Sequence, residues 1–412
     1  SLVHAFGKEA QDNLPACRGR HPHLDSYGEC KQPPRSVILG ATNSWFAVSL
    51  SVLAIPPLRN PLAQLVQAGW DYFEDMESVV EVKAVVKTLV KSGHLSGIEK
   101  YAPEEIFDAI QAKRDGKLEE TDVTEADIKS PEWEVLIDPT PPTDWPFFLS
   151  RKEVPPPSYR HVFTDVLLLE RLREVNALIG FTRVEAPEET ADPDERPPMA
   201  DLARSKPKWV PANEVHGEGI FIRFDEKTIQ TWEAEVSVQK RDRLLQEGHR
   251  YWRAARKLDP SLGYPGIRYA LLHTLAHLLI RELALECGYN AASIRERIYA
   301  SADKENPMAG ILLYTAAADS DGTLGGLVDL GKPENLGRLL DQALRRAKVC
   351  SSDPLCSEHD PTKDNSLHSA ACHACGFVAE TSCERGNRYL DRALLVKTFD
   401  CVDAAFFEDG VK

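Results

Sequence analysis

Five of the nine cysteines fall between positions 350 and 383: Cys350, Cys356, Cys372, Cys375 and Cys383. A Cys-x-x-Cys run such as Cys372-His-Ala-Cys375 aims two thiolates at one metal from a tight turn, and Zn2+ takes four such soft ligands in a tetrahedron. Cys383 can supply a third sulfur, and Cys350 or Cys356 a fourth. Four of the five are therefore expected to hold one zinc, with the fifth beside it. His359, His368 and His373 are weaker ligand candidates. Four sulfurs leave no position for water, so the zinc is read as structural rather than catalytic. Two other readings fit the same residues. Reduced, buried thiols need no metal, whereas a redox Cys-x-x-Cys opens a helix after a strand with no further cysteines nearby.

His273-Thr-Leu-Ala-His277 places two imidazoles at i and i+4 on one helical face. That is the spacing of a zinc-protease helix, but such a helix carries Glu directly after the first His as general base. Here that position is Thr274. With Leu271, Leu272, Leu275, Leu278 and Leu279 around them, the pair is expected to be core histidines bonded to backbone or carboxylate. The alternative is a metal-dependent hydrolase or nuclease that uses His273 and His277 with Asp319 or Asp321. Gly322-Thr-Leu-Gly-Gly326 lacks the Lys-[Ser/Thr] of a phosphate-binding loop and reads as a tight turn. Carboxylates at Asp319 and Asp321 would repel phosphate and can cap that turn. No G-x-x-x-x-G-K-[ST] or D-E-x-H sequence occurs, so an ATP-driven step is expected to come from another subunit.

Two basic stretches could meet nucleic acid. Arg250, Arg253, Arg256 and Lys257 lie near Tyr251 and Trp252, a set in which cations contact phosphates while aromatics stack on bases. The plainer reading is an amphipathic helix with Trp252 in the core. Arg345 and Arg346, with Lys348, precede the cysteine cluster, where cations also suit a helix C-terminus. Cys17-Arg-Gly-Arg-His-Pro-His23 is a weaker third stretch. The Cys17 and Cys30 spacing alone is weak evidence for a metal.

All of these residues need elements to hold them. A chain of 412 residues is expected to form two or three domains. Apolar residues make up 42% and charged residues 27%, which suits a folded globular chain. The net charge of −15 argues against holding nucleic acid through the global field. No apolar run approaches the roughly 18–20 residues of a membrane span, and no secretory signal pattern is visible. A cytoplasmic protein with no membrane contact is expected, and in that compartment the cysteines read as metal ligands before disulfides. The chain opens on Ser1 rather than Met, so a piece of a longer protein is expected.

The apolar run 36–50 is β-branched in part. Helical periodicity covers 61–117, including Val79–Leu89. Residues 118–160 are acidic and Pro-rich and read as loops. A strand at Val166–Glu170 is expected to lead into a helix over Leu172–Leu178, stopped by Gly180. Residues 185–201 are a second breaker zone. Gly219–Phe224 and Gly310–Thr315 read as strands. Thr228–Leu258 and Pro333–Val349 read as helices, and Gly266–Glu286 as a long buried one. The expectation is α+β, a mixed multi-module chain. Its parts are a cysteine-containing segment (1–60), a middle α/β region with acidic Pro-rich loops (61–205) and a zinc-stapled helical/β domain (206–412).

The run Ala371–Arg392, with its C-x-x-C … C-x-x-x-N-x-x-L-D-R ending, resembles the C-terminal zinc-binding domain of MrfA-type helicases. Wider stretches resemble the DrmB family of bacterial DISARM antiphage systems. They include Gly40-Ala-Thr-Asn-Ser-Trp-Phe46, Gly217-Glu-Gly-Ile-Phe221, Leu272–His277, Arg295-Glu-Arg-Ile-Tyr299, Asp319–Gly326 and Cys350–Cys356. This resemblance implies a non-catalytic, zinc-binding subunit that pairs with a DrmA-like helicase, stabilises it and helps engage DNA during phage restriction. It also implies that Cys17 and Cys30 are the second half of another zinc site whose first half would precede Ser1. A stand-alone DNA-binding module is a further alternative, which the net charge disfavours.

Overall fold

The computed structural model describes residues 18–21, 23–29, 46–56, 62, 65–66, 69–92, 98, 101–114, 128–138, 145–182, 199–205, 208–256, 258–315, 326–363, 366–398 and 404–407. The chain divides into two compact units, Pro56–Val135 and the remainder, Ser1–Ile55 with Leu136–Lys412. The smaller unit contains α1 (Trp70–Phe73), α2 (Val79–Ser92) and α3 (Pro103–Arg114). Phe73, Val82, Leu89, Ile106 and Ile110 form its own apolar core.

In the larger unit, β1 (Arg20–His21) and β2 (Ser26–Tyr27) form a small antiparallel pair. The main sheet has six strands, all antiparallel: β3 (Phe46–Leu53), β4 (Phe148–Glu153), β5 (Phe163–Thr182), β6 (Ala212–Phe224), β7 (Ile294–Ser301) and β8 (Met308–Thr315). The path runs β3-β5-β6-β8-β7. β5 is long enough for β4 and β3 to share its one edge in succession. Its pairing with β6 runs on both sides of residue 206.

The helix expected over Leu172–Leu178 is instead the middle of the 20-residue strand β5. Register shifts between Leu169 and Leu172, which pair with Gly219 and Gly217. This bulge breaks the alternation, so Leu169, Leu172 and Val175 fall at a spacing of three that imitates a helix. Gly217 lies where the sheet is tightest: a Cβ there would meet the Thr315 carbonyl oxygen at 2.0 Å. Residues 118–160 are not all loop either. They carry α4 (Lys129–Ile137) and β4. The 185–198 part of the breaker zone lies outside the described residues.

The 228–258 helix is two, α5 (Glu226–Glu233) and α6 (Val236–Ala255). Asp225 caps α5, accepting from the Thr228 N–H at 2.8 Å. α7 (Gly266–Cys287) is apolar on all sides and buried on all sides, as its sequence requires. Gly288, at φ +68°, closes it in the left-handed conformation. Arg268 ties α7 to α5 through Glu226 and Glu233 at 2.8 and 2.9 Å. α8 (Gly326–Leu330) and α9 (Pro333–Ala347) follow. Val166, Leu168, Ile220, Ile222, Ile294, Ile298, Ile311 and Leu313 turn one sheet face to these helices and share a core with α7. Helices gathered on an antiparallel sheet make the fold α+β.

Candidate metal centre

α9 delivers the chain to Cys350 just beyond its end. Asp353 then accepts from the Leu355 N–H and caps a short 3-10 turn, Pro354–Glu358, that carries Cys356. Across from it, the Cys372 carbonyl accepts the N–H groups of Cys375, Gly376 and Phe377 at 3.1, 2.9 and 3.1 Å. That turn points both of its thiols the same way. Sγ separations are 3.6 Å for Cys350–Cys372, 3.7 Å for Cys356–Cys375 and 3.6 Å for Cys372–Cys375. These are far longer than a disulfide, and all four cysteines are free. A zinc–sulfur bond of about 2.3 Å places sulfurs about 3.8 Å apart in a regular tetrahedron. The donor set and its spacing fit Zn2+, with every ligand position taken by sulfur.

Electrostatics agree with such a site. Burial pushes the Cys356 thiol up to about 11 against the pull of Arg392, and burial raises Cys375 further. At Cys350 burial is outweighed by N–H groups of Asp353 and Ser352 and by neighbouring thiols, which bring it down to about 7. Four thiolates together therefore require a cation among them. Arg392, 1% exposed, spans the surroundings. It donates to Cys356 Sγ at 3.0 Å, to the Ala370 carbonyl at 3.0 Å and to the Ala347 carbonyl at the end of α9. Its neighbour Asp391 is gripped at both oxygens by Arg241 of α6, at 2.5 and 3.0 Å. From α7, Arg281 donates to the Ala374 carbonyl at 2.7 Å inside the Cys-x-x-Cys turn.

The structure thus brings four of the five clustered cysteines together and sets Cys383 apart. Cys383 lies with His273, His277 and Glu296, all buried, their ligand atoms within 4.8 Å of one another. Burial lowers His273 and raises Cys383. His273 does meet a carboxylate, Glu296, at 2.9 Å, and His277 a backbone carbonyl, that of Gly376, at 2.8 Å. Of the weaker candidates, His359 bonds the His368 carbonyl at 2.9 Å and His373 packs on Phe377. Sequence reasoning did not find Arg392, Asp391, Arg241, Arg281 or Glu296. The L-D-R ending held the signal for the first two. Asn387, at φ +60°, braces that ending by exchanging two hydrogen bonds with the Val378 backbone.

Cys17, Cys30, Lys257, Asp319 and Asp321 lie outside the described residues. Among the other cations proposed to meet DNA, Arg250 is exposed on α6. Arg253 is not available to a phosphate: it is 3% exposed and donates to the Asp259 carbonyl beyond its helix. Arg256 stacks its guanidinium 4.0 Å over Trp252, itself in the core. Arg345 and Arg346 are exposed at the end of α9, with Arg346 paired to Glu282 at 2.9 Å. No helix among the described residues is long and apolar enough to cross a membrane.

One comparison with known proteins falls on this region. Residues 275–376 match the MrfA Zn-binding domain, a range that contains all four clustered sulfurs and excludes Cys383. The chain is 35% identical over 406 residues to a DISARM protein DrmB of Bacillus paralicheniformis, covering 95% of this chain and 70% of that protein. Among solved structures, the DUF1998 helicase MrfA bound to DNA matches with a TM-score of 0.26 and 10% identity. That match covers 56% of this chain and 23% of the helicase.

Proposed function

The chain belongs to the DrmB family of DISARM proteins, and from that premise we propose that it is a non-catalytic, zinc-stapled subunit of a cytoplasmic phage-restriction complex. In this reading it seats a DrmA-like helicase, stabilises it and contributes to the path of DNA. The observation that carries it is the closure of the metal centre: Cys350, Cys356, Cys372 and Cys375 fill a tetrahedron and leave no position for a reacting water. Zinc bound there supplies cross-linking free energy rather than Lewis-acid chemistry. The chain's own residues do the rest. Arg392 joins the sulfurs to the end of α9, and Arg281 joins the Cys-x-x-Cys turn to α7. The 350–392 segment, which has no long helix or strand among its described residues, is fixed in this way on the core. Arg250 and Arg345 are among the exposed cations of the described residues that could line a nucleic-acid path shared with a partner.

Co-expression with the neighbouring helicase tests the reading, with size exclusion and zinc content measured on the same fractions. A stable complex in which Cys372→Ser with Cys375→Ser loses zinc and the partner together is the expected result. Separate elution of the two intact proteins would remove the obligate-partner reading. Metal-dependent turnover by the isolated chain would remove the non-catalytic one.

A further inference from the structure

We propose that His273, His277, Glu296 and Cys383 form a second, separate metal site, a closed structural one for a zinc-like divalent ion. The four come from three places. His273 and His277 sit one turn apart on α7, Glu296 is on β7, and Cys383 follows a 3-10 turn at Glu380–Ser382. His273 Nε2 lies 2.9 Å from Glu296 Oε1 and 3.1 Å from Cys383 Sγ, and His277 Nε2 lies 3.4 Å from the same carboxylate oxygen. With bonds of about 2.0–2.3 Å, edges of roughly 3.3–3.8 Å close a tetrahedron of nitrogen, oxygen and sulfur, so these donors need only spread by a few tenths of an ångström.

Proton placement points to a cation. The Gly376 carbonyl carries no hydrogen, so the hydrogen bond at His277 Nδ1 puts the imidazole proton on Nδ1. Its Nε2 faces a carboxylate in a dry core. His277 Nε2 and Glu296 Oε2 are buried without a hydrogen-bond partner, an arrangement that costs free energy unless a proton or a metal cation lies between them. A metal-bound histidine is commonly held in just this way, by a carbonyl on its other nitrogen. The sulfur is prepared as well. Cys383 Sγ accepts the N–H groups of Asn387 and Arg385 at 3.2 and 3.4 Å, which offset part of the burial that raises the thiol. Glu296 Oε1 accepts the Glu384 N–H at 3.1 Å. All four ligand residues are buried, so the site has no face open to a substrate. Cys375 belongs to the first site and Cys383 to the second. The stretch between them, which includes Gly376, is therefore pinned at both ends.

Zinc counting on the full chain, equilibrated with excess zinc and then desalted, tests this together with X-ray absorption at the zinc edge. The expected result is about two ions per chain, with nitrogen or oxygen neighbours as well as sulfur in the averaged shell. His277→Gln with Cys383→Ser removes one ion and the nitrogen and oxygen neighbours. Cys372→Ser with Cys375→Ser removes the other ion and leaves a shell with one sulfur. A single ion in an all-sulfur shell on the unmutated chain overturns the proposal, even where a variant fails to fold. So does a second ion that disappears with Cys17→Ser and Cys30→Ser instead. A single ion in the mixed shell keeps the proposal and removes the four-sulfur reading.

Discussion

Replacing Arg392 with alanine is the sharpest single perturbation of the four-sulfur centre. Its guanidinium is buried and donates to three acceptors at once: a ligand sulfur and two backbone carbonyls. Hydrogen bonds from a charged group contribute about 1.5–3 kcal/mol each. Because the three share one side chain they do not add fully, and a loss of about 3–5 kcal/mol is expected, as for breaking a buried ionic group. At about 2 °C per kcal/mol for a unit of this size, Tm falls by about 6–10 °C. The same substitution strips the Cys356 sulfur of its donor, and losses of that kind weaken metal affinity by about 10–100-fold. Calorimetry and a chelator competition on the same preparations read both numbers. Arg392→Lys keeps the charge but cannot span three acceptors, so most of both effects should remain. Arg338→Ala, which breaks a half-exposed pair with Glu286, costs about 1 kcal/mol or less and serves as the reference. If Arg392→Ala melted within about 2 °C of the unmutated chain and held zinc equally well, the role assigned to this buried cation would be wrong.

Three further outcomes follow from the structure. Burial would raise Glu174, but Arg295 and hydrogen bonds from Ser51, Tyr314 and Asn176 hold it below the usual carboxylate range. Its contribution is therefore present above about pH 4.3 and is lost as pH falls through the lower folded value; the gap in urea midpoint between the parent and Glu174→Gln should be constant from neutral pH to about 5 and close below that. Gly217→Ala drives a methyl into the Thr315 carbonyl and should cost about 1–3 kcal/mol or more by urea titration, whereas Gly266→Ala, in open space but at φ +84°, should cost only its backbone strain of about 1 kcal/mol. In the helicase complex proposed above, Arg250→Glu and Arg345→Glu should each weaken DNA binding and lower the salt slope by about one, and an unchanged slope would remove that residue from the proposed DNA path.

Much of this arrangement was legible because local signals and burial agreed. α7 could be read from an apolar run too long for a strand and closed by Gly288. α9 could be read from Pro333 at its start and leucines at helical spacing. β5 was not legible in its second half. Glu174 and Arg173 look like the polar face of a helix until Arg295, more than a hundred residues away, supplies the partner that lets Glu174 be buried. Cysteine spacing counts ligands but does not divide them. The Cys-x-x-Cys turn identifies itself, whereas Cys383 is nearer to it in sequence than Cys356 and is set apart only by what lies opposite after folding.

What lies opposite was nonetheless encoded, in a parity that spacing rules for cysteine do not read. Ile294, Glu296 and Ile298 alternate along β7, and strand geometry puts all three on one face. The two isoleucines pack into the helix-side core, so Glu296 must enter it between them. α7 presents no surface to water along most of its length, so His273 and His277 must be buried as well. A carboxylate forced into a core beside two imidazoles needs protons or a metal to be tolerated. Arg295 and Arg297, out of phase by one, point to the other face, where they meet Glu174 and Ser51. A single three-residue run, Arg-Glu-Arg, thus serves two opposite faces of one strand. Shifting its register by one residue would exchange the two arginines for Glu296 and leave cations facing the imidazoles. The register of β7 against β8 is therefore the element on which the second cluster depends. Tyr299, out of phase by one with Ile298, whose N–H turns outward to Glu384, is a pairing position at which to test this. Proline there removes a ladder donor, and loss of the mixed nitrogen, oxygen and sulfur shell while the four-sulfur shell persists is the result this dependence requires.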